Sequence, residues 1–132
     1  MSRMSMLNLL MDQVRAAGVS VEVTTLGTEG QLDPSVDLTG YRVVQEALTN
    51  ITRHAGPGTS ADVRYQWSPD RLEIVITDDG KGSPQPGVQA MSSGYGSIGL
   101  RERVKLIGGE VHAGPHSIAG YRVHAILPAE PA

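Results

Sequence analysis

The segment from about Ser35 or Asp37 to His54 carries apolar residues at Tyr41, Val44, Leu48 and Ile51. That is the 3,4 spacing of a helix with one face turned to a core. Such a helix must find an apolar surface to cover, and short strand-forming segments on both sides supply one. Before it, Val19, Val21 and Val23 alternate with Ser20, Glu22 and Thr24, the period of a half-buried strand, and Gly27 to Pro34 reads as a loop. After it, Ala55-Gly56-Pro57-Gly58 stops the helix, and Ala61–Trp67 and Arg71–Thr77 read as two strands joined by a Ser68-Pro69-Asp70 turn. Two more strands are expected at Glu110–Ala113 and Tyr121–Leu127, separated by a Gly/Pro/His turn. A second helix is expected from Ile98 to Ile107, closed by Gly108-Gly109. A short one is expected at residues 5 to 17, with Met6, Leu9, Leu10 and Val14 on one side and Gly18 as its stop. Neighbouring strands close enough to form hairpins, mixed with helices, imply an α+β two-layer sandwich: a mixed, mostly antiparallel sheet covered on one face by helices.

At 132 residues this is one domain, long enough to bury a core without staples. Cysteine is absent, which excludes disulfides and thiolate metal sites. The net charge of -3, with only Arg101, Arg103 and Lys105 scattered near one another, argues against a surface that tracks nucleic acid. No apolar run approaches the length of a membrane span. The opening "MSRMSMLNLLMDQV" has too short an apolar core for a signal peptide, and its methionines suit a helix that packs on the domain or on a neighbour.

Three stretches carry chemistry. The first is "GYGSIGLRERV", where Gly94, Gly96 and Gly99 have the spacing of a dinucleotide-binding fingerprint. That fingerprint requires a strand immediately before it and an acidic residue about 20 positions on. Here the preceding residues run from Pro84 to Ser93, which no buried strand tolerates, and the later position holds Gly114. The glycines then mark close backbone approach or motion instead. The second stretch is the polar side of the long helix. Glu46, Asn50, Arg53 and His54 fall at i, i+4, i+7 and i+8, away from the apolar stripe. A carboxylate, a carboxamide oxygen, a guanidinium and an imidazole suit a hard cation carrying a polyphosphate. A solvated helix face with a basic last turn accounts for the same residues. The third stretch is "DDGKG" after a strand. It reads either as a hairpin turn or as a carboxylate at a strand end that accepts a hydrogen bond from an exocyclic amine.

Taken in order, "QEALTNITRHA", "DDGKG" and "GYGSIGLRERV" resemble the N, G1 and G2 boxes of the gyrase, chaperone, histidine kinase and mismatch-repair ATPase superfamily, whose fold is the GHKL or Bergerat sandwich. The run Tyr41 to Asn50, with "GLRERV" and "LIGG", is similar to the sensor histidine kinases whose response regulators carry helix-turn-helix output domains. The resemblance extends from about Leu9 to Pro128. It implies ATP and Mg2+ as cofactors, with Asn50 a magnesium ligand. Glu46 would orient a metal-bound water or polarise the phosphoryl acceptor, and Arg53 and His54 would approach phosphate. Asp78 would hold the adenine amine, with Gly80 and Gly82 admitting the ring. Ser83 to Ile98 would be the ATP lid. Gly94, Tyr95, Gly96, Ser97, Ile98, Gly99 and Leu100 would contact the nucleotide where the lid joins the following helix.

The resemblance also implies a transfer of the γ-phosphate to a histidine on a separate dimerisation domain, and a response regulator served through it. It implies a cytoplasmic setting, with no contact to nucleic acid or membrane by this domain. Residues 1–18 would be the helix leading to that absent domain, and 19–132 the ATP-binding domain. None of His54, His112, His116 or His124 sits next to an acidic residue in a long amphipathic helix, as an acceptor needs. Two positions and one absence depart from the pattern: Ser97 replaces an apolar residue, Tyr121 stands where many such kinases have Thr, and no phenylalanine box lies between "DDGKG" and the glycine loop. Two other functions fit the boxes, an anti-sigma-factor serine kinase of the same superfamily and a regulatory module that binds ATP without transferring phosphate. The "GLRERV", "LIGG" and "GYRVHAILP" stretches favour the sensor kinase over the first, and Glu46 with Asn50 count against the second.

Overall fold

The computed structural model describes residues 6–55, 57–80, 99–115 and 120–131. The strands are β1 (Ser20–Leu26), β2 (Ser60–Ser68), β3 (Arg71–Asp78), β4 (Glu110–Pro115) and β5 (Tyr121–Pro128). They form one sheet in the order β1-β2-β3-β5-β4. Only β1 with β2 is parallel; β2 with β3, β3 with β5 and β4 with β5 are antiparallel. A parallel pair needs a crossover, and helix α2 (Pro34–Asn50) provides it between β1 and β2. Helix α1 (Leu7–Ala16) precedes the sheet, and α3 (residues 99–106) leads into β4. The mixed, mostly antiparallel sheet with helices on one face is the expected two-layer sandwich. No helix among the described residues is long and apolar enough to cross a membrane.

One core fills the space between the layers. From the sheet come Ala61, Val63, Leu72, Ile74, Ile76, Ala125 and Leu127; from α2 come Val36, Val43, Val44, Ala47 and Leu48, all buried. Alternation puts Leu72, Ile74, Ile76 and Asp78 on the helix side of β3 and leaves Glu73, Val75 and Thr77 on the other face. Asp78 therefore ends a row of core residues, which is what buries it.

The helices differ in detail from the sequence reading. Helix α1 turns Leu7, Met11 and Val14 inward, whereas Met6 and Leu9 are 44% and 65% exposed. Met6 lies before the first helical turn, and Leu9 is about 200° round from Leu7, so neither can join that stripe. Helix α2 starts with Pro34, whose fixed φ suits a first helical position. It ends as an α-helix at Asn50, and Ile51–Ala55 continue as a wider π turn. The Thr52 hydroxyl donates to the Leu48 carbonyl at 3.0 Å inside this change of winding. Tyr41, expected on the stripe, is half-buried at its edge, while Val43 and Ala47 are in the core.

The turn after β1 depends on Gly27, whose φ is +82°. A Cβ there would also run into the Trp67 carbonyl, so any side chain is excluded twice over.

Tyr65 on β2 packs against the core with its hydroxyl buried and without a partner among the described residues. Burial pushes the phenol well above its ordinary range. Tyr65→Phe deletes an unsatisfied polar atom and keeps the ring, so calorimetric unfolding should show stability unchanged or raised by about 1 kcal/mol. A loss of that size would mean that the hydroxyl is hydrogen-bonded in solution.

Candidate functional site

A cleft opens between α2, α3 and the β4–β5 end of the sheet. Val43, Glu46, Ala47 and Asn50 line it from α2, Leu100 and Arg101 from α3, Val111 and Ala113 from β4, and Tyr121 and Val123 from β5. The spacing explains the α2 contribution. Val43 and Ala47, and Glu46 and Asn50, are each one turn apart, so an apolar and a polar pair lie side by side. Glu46 and Asn50 are both half-buried, which holds them at the rim between the apolar floor and solvent.

Asp78, on β3, lies outside that lining. Its partner across the β3–β5 ladder is Tyr121, so the carboxylate is one strand away from the cleft wall. Asp78 is only 6% exposed. The Gly80 N–H donates to its carboxylate, while Oδ1 is buried and has no partner among the described residues. Desolvation, opposed by the Gly80 bond and helped by the neighbouring Asp79 charge, raises its pKa from 3.8 to about 6. A buried carboxylate with an unused acceptor is costly in the empty protein and ready for a donor.

The chain end that holds Asp78 is fixed on both sides. The Asp79 N–H donates to the Ser60 carbonyl at 3.1 Å, and the Ser60 N–H donates to Asp79 Oδ1 at 3.1 Å. Gly80 then turns the chain with φ +62°, a conformation that costs other residues energy. Asp78 also borders an open depression of about 1070 Å³ with Ser20, Glu22, Ser60, Asp62, Thr77 and Asp79. That depression collects the acidic side chains of Glu22, Asp62 and Asp79 and is open to solvent.

Of the residues singled out in the sequence, Glu46, Asn50 and Leu100 share the cleft, Asp78 is paired with its wall residue Tyr121, and Gly80 donates to Asp78. Arg53 is exposed and lines a groove between α1 and α2 with Leu10, Gln13, Val14, Thr49 and Thr52. The π turn accounts for this, because a wider turn breaks the i, i+3 alignment with Asn50. Gly99 opens α3 in free space: a Cβ there would meet nothing within 4 Å. Gly82, Gly94, Tyr95, Gly96, Ser97 and Ile98, the lid from Ser83 to Ile98, and the His54 side chain lie outside the described residues.

The sequence reading passed over the apolar floor and Arg101, and it kept Tyr121 only as a departure. The i, i+4 pairing of Val43 with Ala47 beside Glu46 and Asn50 was the available signal. The β4 and β5 residues carried none before the strand order was known.

Among the described residues, no group of three or more His, Asp or Glu side chains could hold a metal ion. Glu46 and Asn50 therefore form no preformed cation cage. A hard cation that keeps waters and takes most of its oxygens from phosphates needs only one or two protein ligands, and magnesium is of that kind. The residues present fit a cation that arrives with a polyphosphate.

Comparison with known proteins gives one pattern. Residues 36–131 match the model of the histidine kinase-, DNA gyrase B-, and HSP90-like ATPase family. The chain is 31% identical over 121 residues to the sensor histidine kinase LnrJ of Bacillus subtilis strain 168, covering 92% of this chain and 29% of that protein. It is 34% identical over 113 residues to sensor histidine kinase YxjM of the same strain, covering 85% of this chain and 26% of that protein. The chain thus spans less than a third of the length of the curated relatives it matches. Among solved structures, the mycobacterial sensor histidine kinase MprB superposes with a TM-score of 0.70 at 23% identity, covering 100% of this chain and 99% of that one. At that identity the likeness bears on the fold.

Proposed function

The chain belongs to the histidine kinase-, DNA gyrase B-, and HSP90-like ATPase family, and on that premise we propose that it is the ATP-binding catalytic portion of a sensor histidine kinase. It would act on a histidine carried by a separate dimerisation domain. The observation that carries the nucleotide site is the buried, unused acceptor of Asp78 directly opposite Tyr121, which lines an apolar cleft together with Glu46 and Asn50.

Each part has a physical task. Asp78 Oδ1 accepts from the exocyclic amine of adenine, and the Gly80 N–H keeps the carboxylate aimed. Val43, Ala47, Val111, Ala113 and Val123 cover the ring and exclude water, which strengthens that bond. Asn50 offers its carboxamide oxygen as one magnesium ligand. Glu46, one turn earlier, orients a metal-bound water or polarises the incoming acceptor. Bound as its magnesium complex, ATP supplies the γ-phosphoryl group, and the cation takes up charge from the phosphate oxygens. Gly99 and Leu100 bring the free N–H groups at the start of α3 towards phosphate. His54, Gly80, Gly82 and the lid residues Gly94, Tyr95, Gly96, Ser97 and Ile98 complete the proposed contacts.

In this account the partners are the parent protein's dimerisation and phosphoacceptor domain and, through it, a response regulator of the helix-turn-helix output type. The need for ATP sets the domain in the cytoplasm, with no contact to nucleic acid or membrane.

Calorimetric titration should give a dissociation constant between micromolar and millimolar for ATP with magnesium. Asn50→Ala should lower that affinity about tenfold or more, the scale of a lost hydrogen bond to a charged partner (~1.5–3 kcal/mol), and should leave the weaker magnesium-free binding unchanged. Equal affinities with and without magnesium, in both proteins, would remove Asn50 from the metal.

A further inference from the structure

Tyr121 has no task in the account above, yet its position is specific. It is the first residue of β5, directly opposite Asp78 in the β3–β5 ladder. Residues directly opposite in an antiparallel pair project to the same face with Cβ atoms about 4.5–5.5 Å apart. That face is the helix side, since Asp78, Ala125 and Leu127 are buried there. The half-buried ring also lines the cleft that holds Glu46 and Asn50. It therefore stands between the Asp78 carboxylate and the apolar floor made by Ala113 and Val123.

We propose that Tyr121 is a specificity-determining residue, whose ring closes the base end of the cleft against purine nucleotides that carry a substituent on the exocyclic amine. The inference rests on the reading of the cleft as an ATP site. An amine that donates to Asp78 Oδ1 has one hydrogen in that bond, and its second substituent must leave beside the carboxylate. Two side chains stand directly opposite Asp78 on that face, the small Ala61 on β2 and Tyr121 on β5, and Tyr121 is the one on the cleft side. Hydrogen fits beside an aromatic ring, whereas a benzyl group would have to overlap it. Deleting the phenol ring opens an apolar space of roughly benzene size at that point, and apolar cavities of this kind stay dry and accept aromatic rings.

The test is competition between ATP and N6-benzyl-ATP, with magnesium present, on the wild type, Tyr121→Ala, Tyr121→Thr and Tyr121→Phe. Threonine is included because its β-branch suits a strand and keeps the variant folded if alanine loosens the start of β5. Wild type should prefer ATP by about tenfold or more, the scale set by misfit of small groups in an apolar pocket. Tyr121→Ala and Tyr121→Thr should bring that ratio close to one or invert it. Tyr121→Phe should keep the wild-type ratio, because the bulk of the ring discriminates and not its hydroxyl. A ratio unchanged in both ring-deleted variants, or a wild type that binds both nucleotides equally, overturns the inference and leaves the ATP site standing. Failure of the wild type to bind ATP removes both.

Discussion

Asp78→Asn should make the empty protein more stable and at the same time take away most of its affinity for ATP. The first effect follows from linkage. The fold raises the carboxyl pKa from 3.8 to about 6, so the folded chain binds the proton more tightly than the unfolded one. Between those values the folded state carries more protons, and stability therefore falls as pH rises from about 4 to about 6. Above that window the full penalty of holding a buried charge remains. A shift of this size is worth at most about 3 kcal/mol, and with Asp78 beside an open depression about 1–2 kcal/mol is the sounder expectation. Asparagine keeps an acceptor for the Gly80 N–H and carries no charge. The unfolding temperature at pH 7.5 should therefore rise by about 3–8 °C, with little difference left at pH 4.

The second effect follows from the same oxygen. Exchanging a charged acceptor for an amide weakens the bond to the adenine amine by about 1.5–3 kcal/mol, or about 10- to 100-fold in affinity. Wild-type affinity should also decline as pH falls through about 6, beyond any decline seen in Asp78→Asn, which has nothing to titrate at that position. Thermal unfolding and calorimetry on the same two proteins check both halves. Unchanged ATP affinity in Asp78→Asn would sink the adenine assignment.

Particular residues show how far the sequence carried. Strand alternation in "RLEIVIT" gave β3 within a residue of its observed end. The Ser68-Pro69-Asp70 turn gave the β2–β3 hairpin. Such local periodicity is legible because side-chain direction in a strand is set by the backbone alone. The parallel pairing of β1 with β2 and the placement of β5 between β3 and β4 were not legible, because they depend on contacts between distant segments. Helix α1 shows a second limit: Met6 and Leu9 looked like part of its apolar side with Leu10 and Val14, but its packing against α2 and β1 chose Leu7 and Met11 in their place. At the site, Glu46 and Asn50 were legible as a pair from their spacing on one helix. Asp78 was legible as a carboxylate at a strand end, but its buried and unused oxygen could not be read without knowing which face of β3 meets the helices. Tyr121 joins the cleft through its place on β5 and meets Asp78 through the β3–β5 register, neither of which the sequence shows. Arg53 shows the converse, since the helical spacing that joined it to Asn50 ends at the π turn.

The largest effect expected of this chain is the difference between acting alone and acting on a partner. Transfer needs the acceptor in line with the γ-phosphate, and position supplies most of the rate. His112 and His124 face each other across β4 and β5 on the sheet face away from the cleft, where His124 Nε2 lies 3.0 Å from Glu73 Oε1. A five-stranded sheet therefore separates both imidazoles from Glu46 and Asn50. The chain should bind ATP and label nothing within itself, and a histidine brought to the Glu46 rim on another domain should be labelled. The most direct measurement is incubation with γ-labelled ATP and magnesium in three mixtures. One holds the chain alone, one adds a dimeric helical domain bearing an acceptor histidine, and one adds a serine-bearing anti-anti-sigma protein. The account predicts acid-labile, base-stable label on the helical domain only, lost with Asp78→Asn. Acid-labile label on the chain alone, or phosphoserine on the third protein, would contradict it.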